Sequence, residues 1–266
     1  MTKKKIITLA LAAVLVVMSV AGATFAYLTD TDDADNVFTV GSVKIELSEE
    51  QRGEKGLEDF DQNKKLYPIV GSAQGELDEY NMPVAKNYVD KIVTVTNTGS
   101  EDAYVRVYFA IPSALDDGYD DYNANANTLH FNFGKKTASD GSVVSTEGED
   151  WIWKHDGKWN YFETTMDGIA YNVYFADYAT TLAAETTTER FLNGVYLDKS
   201  FDMKDDGAYA FGEKLTLDEK WNWNSVKCPV FAVAVQAAGF DSADEAFTNA
   251  FGAQYNPWGT TVSNWQ

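Results

Sequence analysis

The sequence predicts an all-β protein, an antiparallel β-sandwich carrying loop insertions and a short helix in its C-terminal region. Two observations carry this reading. Apolar residues alternate with period two in several segments, and the stretch from Val230 to Ala238 is apolar almost throughout. Taken in order, Val43, Ile45 and Leu47 alternate with Ser42, Lys44 and Glu46. Lys91 to Asn97 is β-branched and runs into Thr98-Gly99-Ser100-Glu101-Asp102. From Ala103 to Ile111 the odd positions (Ala103, Val105, Val107, Phe109, Ile111) form one face and the even ones (Tyr104, Arg106, Tyr108, Ala110) the other, one inward and one outward. The short Gly-containing turn between these two segments predicts an antiparallel hairpin. Ile169, Tyr171, Val173 and Phe175 alternate with Ala170, Asn172 and Tyr174, and Val230 to Ala238 reads as a central strand buried on both faces. Ser242-Ala243-Asp244-Glu245 fits a capping box, with Ala243, Ala246, Phe247, Ala250 and Phe251 at helical spacing; this helix is expected to cover one open end of the sandwich. Residues 42–266 are expected to form a single domain. Its insertions near 49–87 and 116–127 are where binding function would sit.

Composition narrows the function classes. The chain has 266 residues, 41 acidic against 21 basic, and a formal net charge of -20. So negative a surface repels polyphosphate, and the lysines form no patch that would override the field, so nucleic acid is not an expected partner. With Cys228 alone, an intramolecular disulfide is excluded. Hydrophobic residues at 45% and aromatic ones at 14% supply a core instead of a disordered tail.

The first 26 residues read as an export signal. Lys3, Lys4 and Lys5 precede the uncharged apolar run Ile6 to Val20, which ends in Ala21-Gly22-Ala23-Thr24. The run is short for a membrane span, which needs ~20 residues. Cleavage is expected after Ala26, with Ala23 as the alternative, so the membrane is a partner only through the signal peptide before cleavage. The mature chain loses three lysines and no acidic residue, and export makes it more acidic still.

Catalytic signatures are missing. The two histidines, His130 and His155, do not make a His-Glu-x-x-His pair. No Gly-x-Ser-x-Gly elbow or phosphate loop occurs, and Cys228 sits at a core-like strand start. The chain is therefore expected not to be an enzyme and to need no cofactor. Asp30, Asp32, Asp33 and Asp35 are the candidate calcium ligands; Asp116, Asp117, Asp120 and Asp121, or Asp202, Asp205 and Asp206, offer similar clusters without the twelve-residue calcium loop. Trp151, Trp153, Trp159, Tyr161 and Phe162 leave open a monomeric cell-surface module for a glycan or host protein.

Several motifs resemble the TasA/camelysin family of secreted Gram-positive proteins, which a dedicated SipW-type signal peptidase processes. They are Gly22-Ala23-Thr24-Phe25-Ala26, Tyr27-Leu28-Thr29-Asp30 and Phe38-Thr39-Val40-Gly41-Ser42-Val43-Lys44-Ile45-Glu46-Leu47, followed by Asn87 to Ile92, Val95 to Ser100 and Ala103 to Val107. The resemblance implies a jelly-roll-like sandwich that polymerises into extracellular biofilm-matrix fibres. It also implies self-association into filaments by an N-terminal arm, residues 27–41, which donates a strand to the next subunit. Tyr27, Leu28, Val37, Phe38 and Val40 are the donor residues it implies, and Gly41 is the hinge. An open sheet edge accepts an added strand, and a heterologous contact of this kind propagates instead of closing a dimer. The alternative is that Val37 to Leu47 forms an edge strand of its own domain. Camelysin-like members have also been described as metalloproteases, an activity for which this chain shows no zinc motif.

Overall fold

Alternating β-branched and aromatic residues give strands along about half of the described chain. The computed structural model describes residues 37–40, 42–61, 64, 66–73, 75–116, 128–133, 136–137, 143–144, 150–155, 158–199, 201–203, 209–211, 215–217, 227–259 and 261–265. Its strands are β1 (Val37–Val40), β2 (Ile45–Gly53), β3 (Gly56–Asp59), β4 (Val89–Asn97), β5 (Ala103–Pro112), β6 (Leu129–Phe133), β7 (Lys136–Thr137), β8 (Val143–Val144) and β9 (Trp151–Ile152). They continue as β10 (Lys154–His155), β11 (Lys158–Trp159), β12 (Tyr161–Met166), β13 (Ile169–Tyr178), β14 (Leu192–Leu197), β15 (Phe201–Met203), β16 (Tyr209–Phe211), β17 (Leu215–Leu217) and β18 (Val230–Gln236), followed by the helix α1 (Ala243–Phe251).

Two sheets make an all-β sandwich. The first has the order β1-β18-β5-β13-β12, with β9 also on β13, and the second β3-β2-β4-β14-β6. Small ribbons, β7-β8, β10-β11 and β15-β16-β17, stand apart from them. Within the two main sheets every pairing is antiparallel except β1 on β18. The core between the sheets takes Val93 and Val95 from β4, Val105, Val107 and Phe109 from β5, Leu192 and Val195 from β14, and Ala232 and Ala234 from β18.

β4 and β5 do not form the hairpin their short turn predicts. β4 pairs with β2 and β14, whereas β5 pairs with β13 and β18, so the turn carries the chain from one sheet to the other. The side chain of Asn97 holds this crossing: Nδ2 donates to the carbonyls of Glu101 and Leu182, and Oδ1 accepts from Gly99 N. A Cβ on Gly99 would lie 2.7 Å from Lys44 N, so the crossing also requires glycine there.

The even-numbered face of β5 is buried as well. Tyr108, Ala110, Phe162, Val173, Phe175, Val233 and Val235 form a second apolar cluster on the outer side of the first sheet, and Ala246 and Phe247 of α1 close it. The helix thus covers a sheet face and not an open end of the sandwich. At nine residues α1 is too short to persist alone, since isolated helices need roughly 12–15 residues, so this packing holds it. Ser242 caps it by accepting from Glu245 N; the Glu245 carboxylate accepts from Asp241 N, one residue before the cap. Gly252, at a φ of 88°, ends it.

A charged pair sits inside this outer cluster. Arg106 and Asp177 face each other across β5 and β13, with Nε and Nη2 of Arg106 donating to the two carboxylate oxygens at 2.6 and 3.0 Å. The guanidinium also lies 4.8 Å from the ring centre of Phe175 and 4.5 Å from that of Phe247.

The segment between β3 and β4 packs on the second sheet, with Ile69 and Met82 buried and Ile69 N donating to Leu197 O of β14. Arg52 clasps it: Nε and Nη2 donate to Asp90 on the neighbouring strand, and Nη1 donates to Asp78 at 2.8 Å. The other Asp78 oxygen accepts from the amides of Tyr80 and Met82. Burial alone would raise the Asp78 pKa, but the Arg52 contact and these two amides outweigh it and hold the carboxyl below its ordinary 3.8.

Two outcomes follow for stability. Asp177→Ala leaves Arg106 charged beneath α1 and is expected to remove about 3–5 kcal/mol in urea denaturation, much of which Arg106→Met with Asp177→Leu recovers. Because the folded pKa of Asp78 is lowered, its stabilising contribution is fully present above about pH 3.8 and is lost as pH falls through the folded value. Protection of the amides over residues 66–87, taken relative to their intrinsic exchange rate at each pH, is therefore expected to fall on acidification below pH ~4, and Asp78→Asn flattens that dependence.

Candidate functional site

β18 is the strand around which a site can be built. Val230, Ala232 and Ala234 enter the core between the sheets, whereas Val233 and Val235 enter the cluster under α1. That is why the sequence is apolar at consecutive positions. One side of β18 is taken by β5 along its length, from Val230 opposite Phe109 to Gln236 opposite Ala103. Among the described residues the other side is taken by β1 alone, in parallel register: Val37 faces Ala232, Phe38 faces Val233, Thr39 faces Ala234 and Val40 faces Val235. Just beyond β1, Ser42 N donates to Gln236 Oε1 at 3.4 Å, and by Ile45 the chain has entered the second sheet as β2. β1 is thus a four-residue strand, joined by a short link to one sheet and completing the edge of the other.

Of the residues singled out in the sequence, Val37, Phe38 and Val40 lie on this strand. Ala23, Ala26, Tyr27, Leu28, Asp30, Asp32, Asp33, Asp35 and Gly41 lie outside the described residues, as do Asp117, Asp120, Asp121, Asp205 and Asp206. Asp202 falls on β15. Asp116 is buried and its Oδ2 accepts from Tyr174 Oη at 2.6 Å and Asn172 Nδ2 at 2.8 Å. Trp151 and Trp153 are buried at 3% and 5% exposure and Phe162 at 0%, so these three fill cores instead of forming an exposed sugar platform. Trp159 and Tyr161 pack against the core from its margin.

The two histidines are on separate elements. His130, on β6, stacks on Tyr196 with ring centres 4.9 Å apart and places Nε2 3.3 Å from Asp198 Oδ2. His155 is exposed on β10, in a two-stranded ribbon. Among the described residues no group of three His, Cys, Asp or Glu side chains comes together to hold a metal ion. The buried pair of Lys91 with Glu49 is an acid and a base committed to each other, with Phe60 lying over the ammonium.

Cys228 packs its side chain against the core just before β18. Burial pushes the thiol up to about 12; Lys91 opposes the shift, and Glu49 and Asp116 add to it. Cys228 is half-buried, and with its thiol so raised a thiol reagent at pH 8 is expected to label the native protein more slowly than the guanidinium-unfolded chain, which takes up one equivalent. Labelling of the native protein at the rate of an exposed thiol would contradict this.

The edge completed by β1 escaped sequence reading in one respect. The long apolar run marked β18 as a strand buried on both faces, but nothing local names a partner so remote in sequence. The Arg106 and Asp177 pair was signalled only by charged residues within otherwise buried alternations.

Residues 1–113 match the model of a family described as camelysin metallo-endopeptidase. No curated protein and no solved structure matches the chain. The matched segment contains no histidine and no cysteine, and His130 and His155 both lie beyond it. The described residues therefore do not fit a histidine-based metal centre of the kind the family's description implies. The match ends one residue after β5 and takes in β1 to β5, including the strand that completes the β18 edge. Over residues 1–113, this chain is similar to the camelysin family.

Proposed function

We propose that this protein is a secreted structural subunit that polymerises into extracellular matrix fibres, its N-terminal arm completing the first sheet of a neighbouring copy. The observation that carries the reading is the β18 edge. A strand buried on both faces is separated from solvent on one side by four residues of β1, whose pairing is parallel and made without a connecting turn. Nothing in that ladder depends on β1 and β18 belonging to the same molecule. The same four backbone positions from another chain would satisfy the same groups. A strand given by one copy to the next is a heterologous contact and extends into a filament.

The arm runs from Tyr27, after cleavage at Ala26 or Ala23, through Leu28 and the aspartates to Val37, Phe38 and Val40, with Gly41 as its hinge. Its acidic stretch, Asp30, Asp32, Asp33 and Asp35, is the place where calcium would act. Export through the signal of residues 1–26 places the subunit outside a Gram-positive cell, and the dedicated signal peptidase is its partner there. The family's description favours a second reading, a metallo-endopeptidase. That reading requires chelator-sensitive proteolysis by the purified chain, lost on replacing His130 or His155.

Deletion of residues 27–40 from the mature chain is expected to abolish fibres seen by electron microscopy. Equal fibres from the shortened chain would refute strand exchange. Subunits of such high negative charge repel one another, so added salt or divalent cations should speed assembly followed by light scattering. A rate indifferent to both would remove charge from the account.

A further inference from the structure

Burying a lysine between two sheets is costly unless its charge is met, and Glu49 meets that of Lys91. Glu49 on β2 faces Val93 of β4, and Lys91 is two residues away along β4, so the two long side chains reach each other diagonally across adjacent strands. Lys91 Nζ donates to Glu49 Oε2, and the side chains are 6% and 12% exposed. The pair points between the sheets. Val89 and Val93, on either side of Lys91 in the alternation of β4, belong to the core there, and the charges of Lys91 and Glu49 both reach Cys228, just before β18 of the opposite sheet. The ring centre of Phe60 lies 4.6 Å from Lys91 Nζ, and Phe60 N donates to Glu49 O at 3.0 Å, so the residue covering the ammonium is itself fixed to Glu49.

The two arginine pairs described above differ in chemistry. Arg106 with Asp177 and Arg52 with Asp90 each join a guanidinium to a carboxylate through two contacts, and a guanidinium stays protonated in a protein. Lys91 instead offers a primary amine, whose nitrogen can bond to a carboxyl carbon. Held by the β2–β4 ladder, amine and carboxyl meet at an effective concentration on the order of 10⁵ M or more, which offsets the competition from water that disfavours condensation in solution. Burial works in the same direction, because keeping two charges out of water is costly and a neutral amide carries neither.

We propose that Lys91 and Glu49 condense into a side-chain amide that ties β2 to β4. The ammonium passes one proton to the carboxylate, and the amine nitrogen attacks Glu49 Cδ. The Nζ–Cδ bond forms, one Cδ–O bond breaks, and that oxygen leaves as water with the first proton and a second one from nitrogen. No electrons are exchanged and no co-reactant is consumed. The bond spans 42 positions of sequence. Tension on the N-terminal arm then passes from Glu49 straight to Lys91 and bypasses β3 and the segment that follows it. The inference does not rest on strand exchange, since it concerns a contact within one chain.

The test is the mass of the mature chain, kept folded until its mass is constant and then measured under denaturing conditions. The wild type is expected to be lighter than its sequence by one water. Digestion is expected to yield the Glu49 and Lys91 peptides joined, with the bond between Lys91 and Ile92 resistant to trypsin. Lys91→Arg, which keeps a cation at the site, is expected to show the full mass of its own sequence. A wild type of full mass with both peptides free would overturn the proposal. So would a water lost elsewhere, as from an aspartate–glycine pair, or a Lys91→Arg chain that also lacks one water. The wild type alone decides the outcome if the variant fails to fold, and deletion of residues 27–40 reads strand exchange separately.

Discussion

Burial of the first sheet on both of its faces is the constraint on which the remaining structure depends. One face is met by the second sheet and the other by α1 with the C-terminal residues, which supply the apolar partners that β5, β13 and β18 require. A sheet so covered has no solvated face on which to place a charge, and for that reason Arg106 is tied to Asp177 and enclosed by Phe175 and Phe247. Such a sheet leaves its edges to be covered in another way. Among the described residues they are occupied by β1 on β18 and, at one residue pair, by Ser263 on β12.

Much of the architecture was legible from the residues. Alternation placed β2, β5 and β13; the apolar run placed β18, and Ser242 with Glu245 placed the start of α1. What escaped has a common physical cause. The turn from Thr98 to Asp102 reads as a hairpin because local sequence records its brevity and its glycine, but not whether the strands it joins lie side by side or in opposite layers. That choice rests on contacts made by Asn97 and Gly99 with Leu182 and Lys44, remote in the sequence. Likewise Tyr104, Arg106 and Tyr108 look like a solvated face until a helix more than a hundred residues later is placed over them. At the candidate site, Val37, Phe38 and Val40 were singled out through a resemblance to a family and lie on β1, whereas the partner strand of β1 and its parallel direction were not legible at all.

The segment that matches the family model does not contain all the strands its own strands pair with. It stops just after β5, and both neighbours of β5 in the sheet, β13 and β18, come from beyond it. β4 likewise needs β14. The later residues therefore complete a sandwich that the earlier ones begin, and the cover over the first sheet is built wholly from those later residues.

The parallel ladder between β1 and β18 has a consequence for the order of events in time. Ser42 and Gln236, which meet at the end of that ladder, are 194 residues apart. Closing so long a loop carries a large entropic cost before any pairing is gained, so local turns and hairpins form sooner. In a chain that emerges N-terminus first, the arm is outside while its intramolecular partner has still to arrive. During that interval β1 is a strand without a sheet, and in the proposed assembly a neighbouring molecule with a finished β5-β18 pair would offer it one. Under that proposal, whether the strand ends at home or abroad is decided by a race between the folding rate of one chain and the local concentration of others.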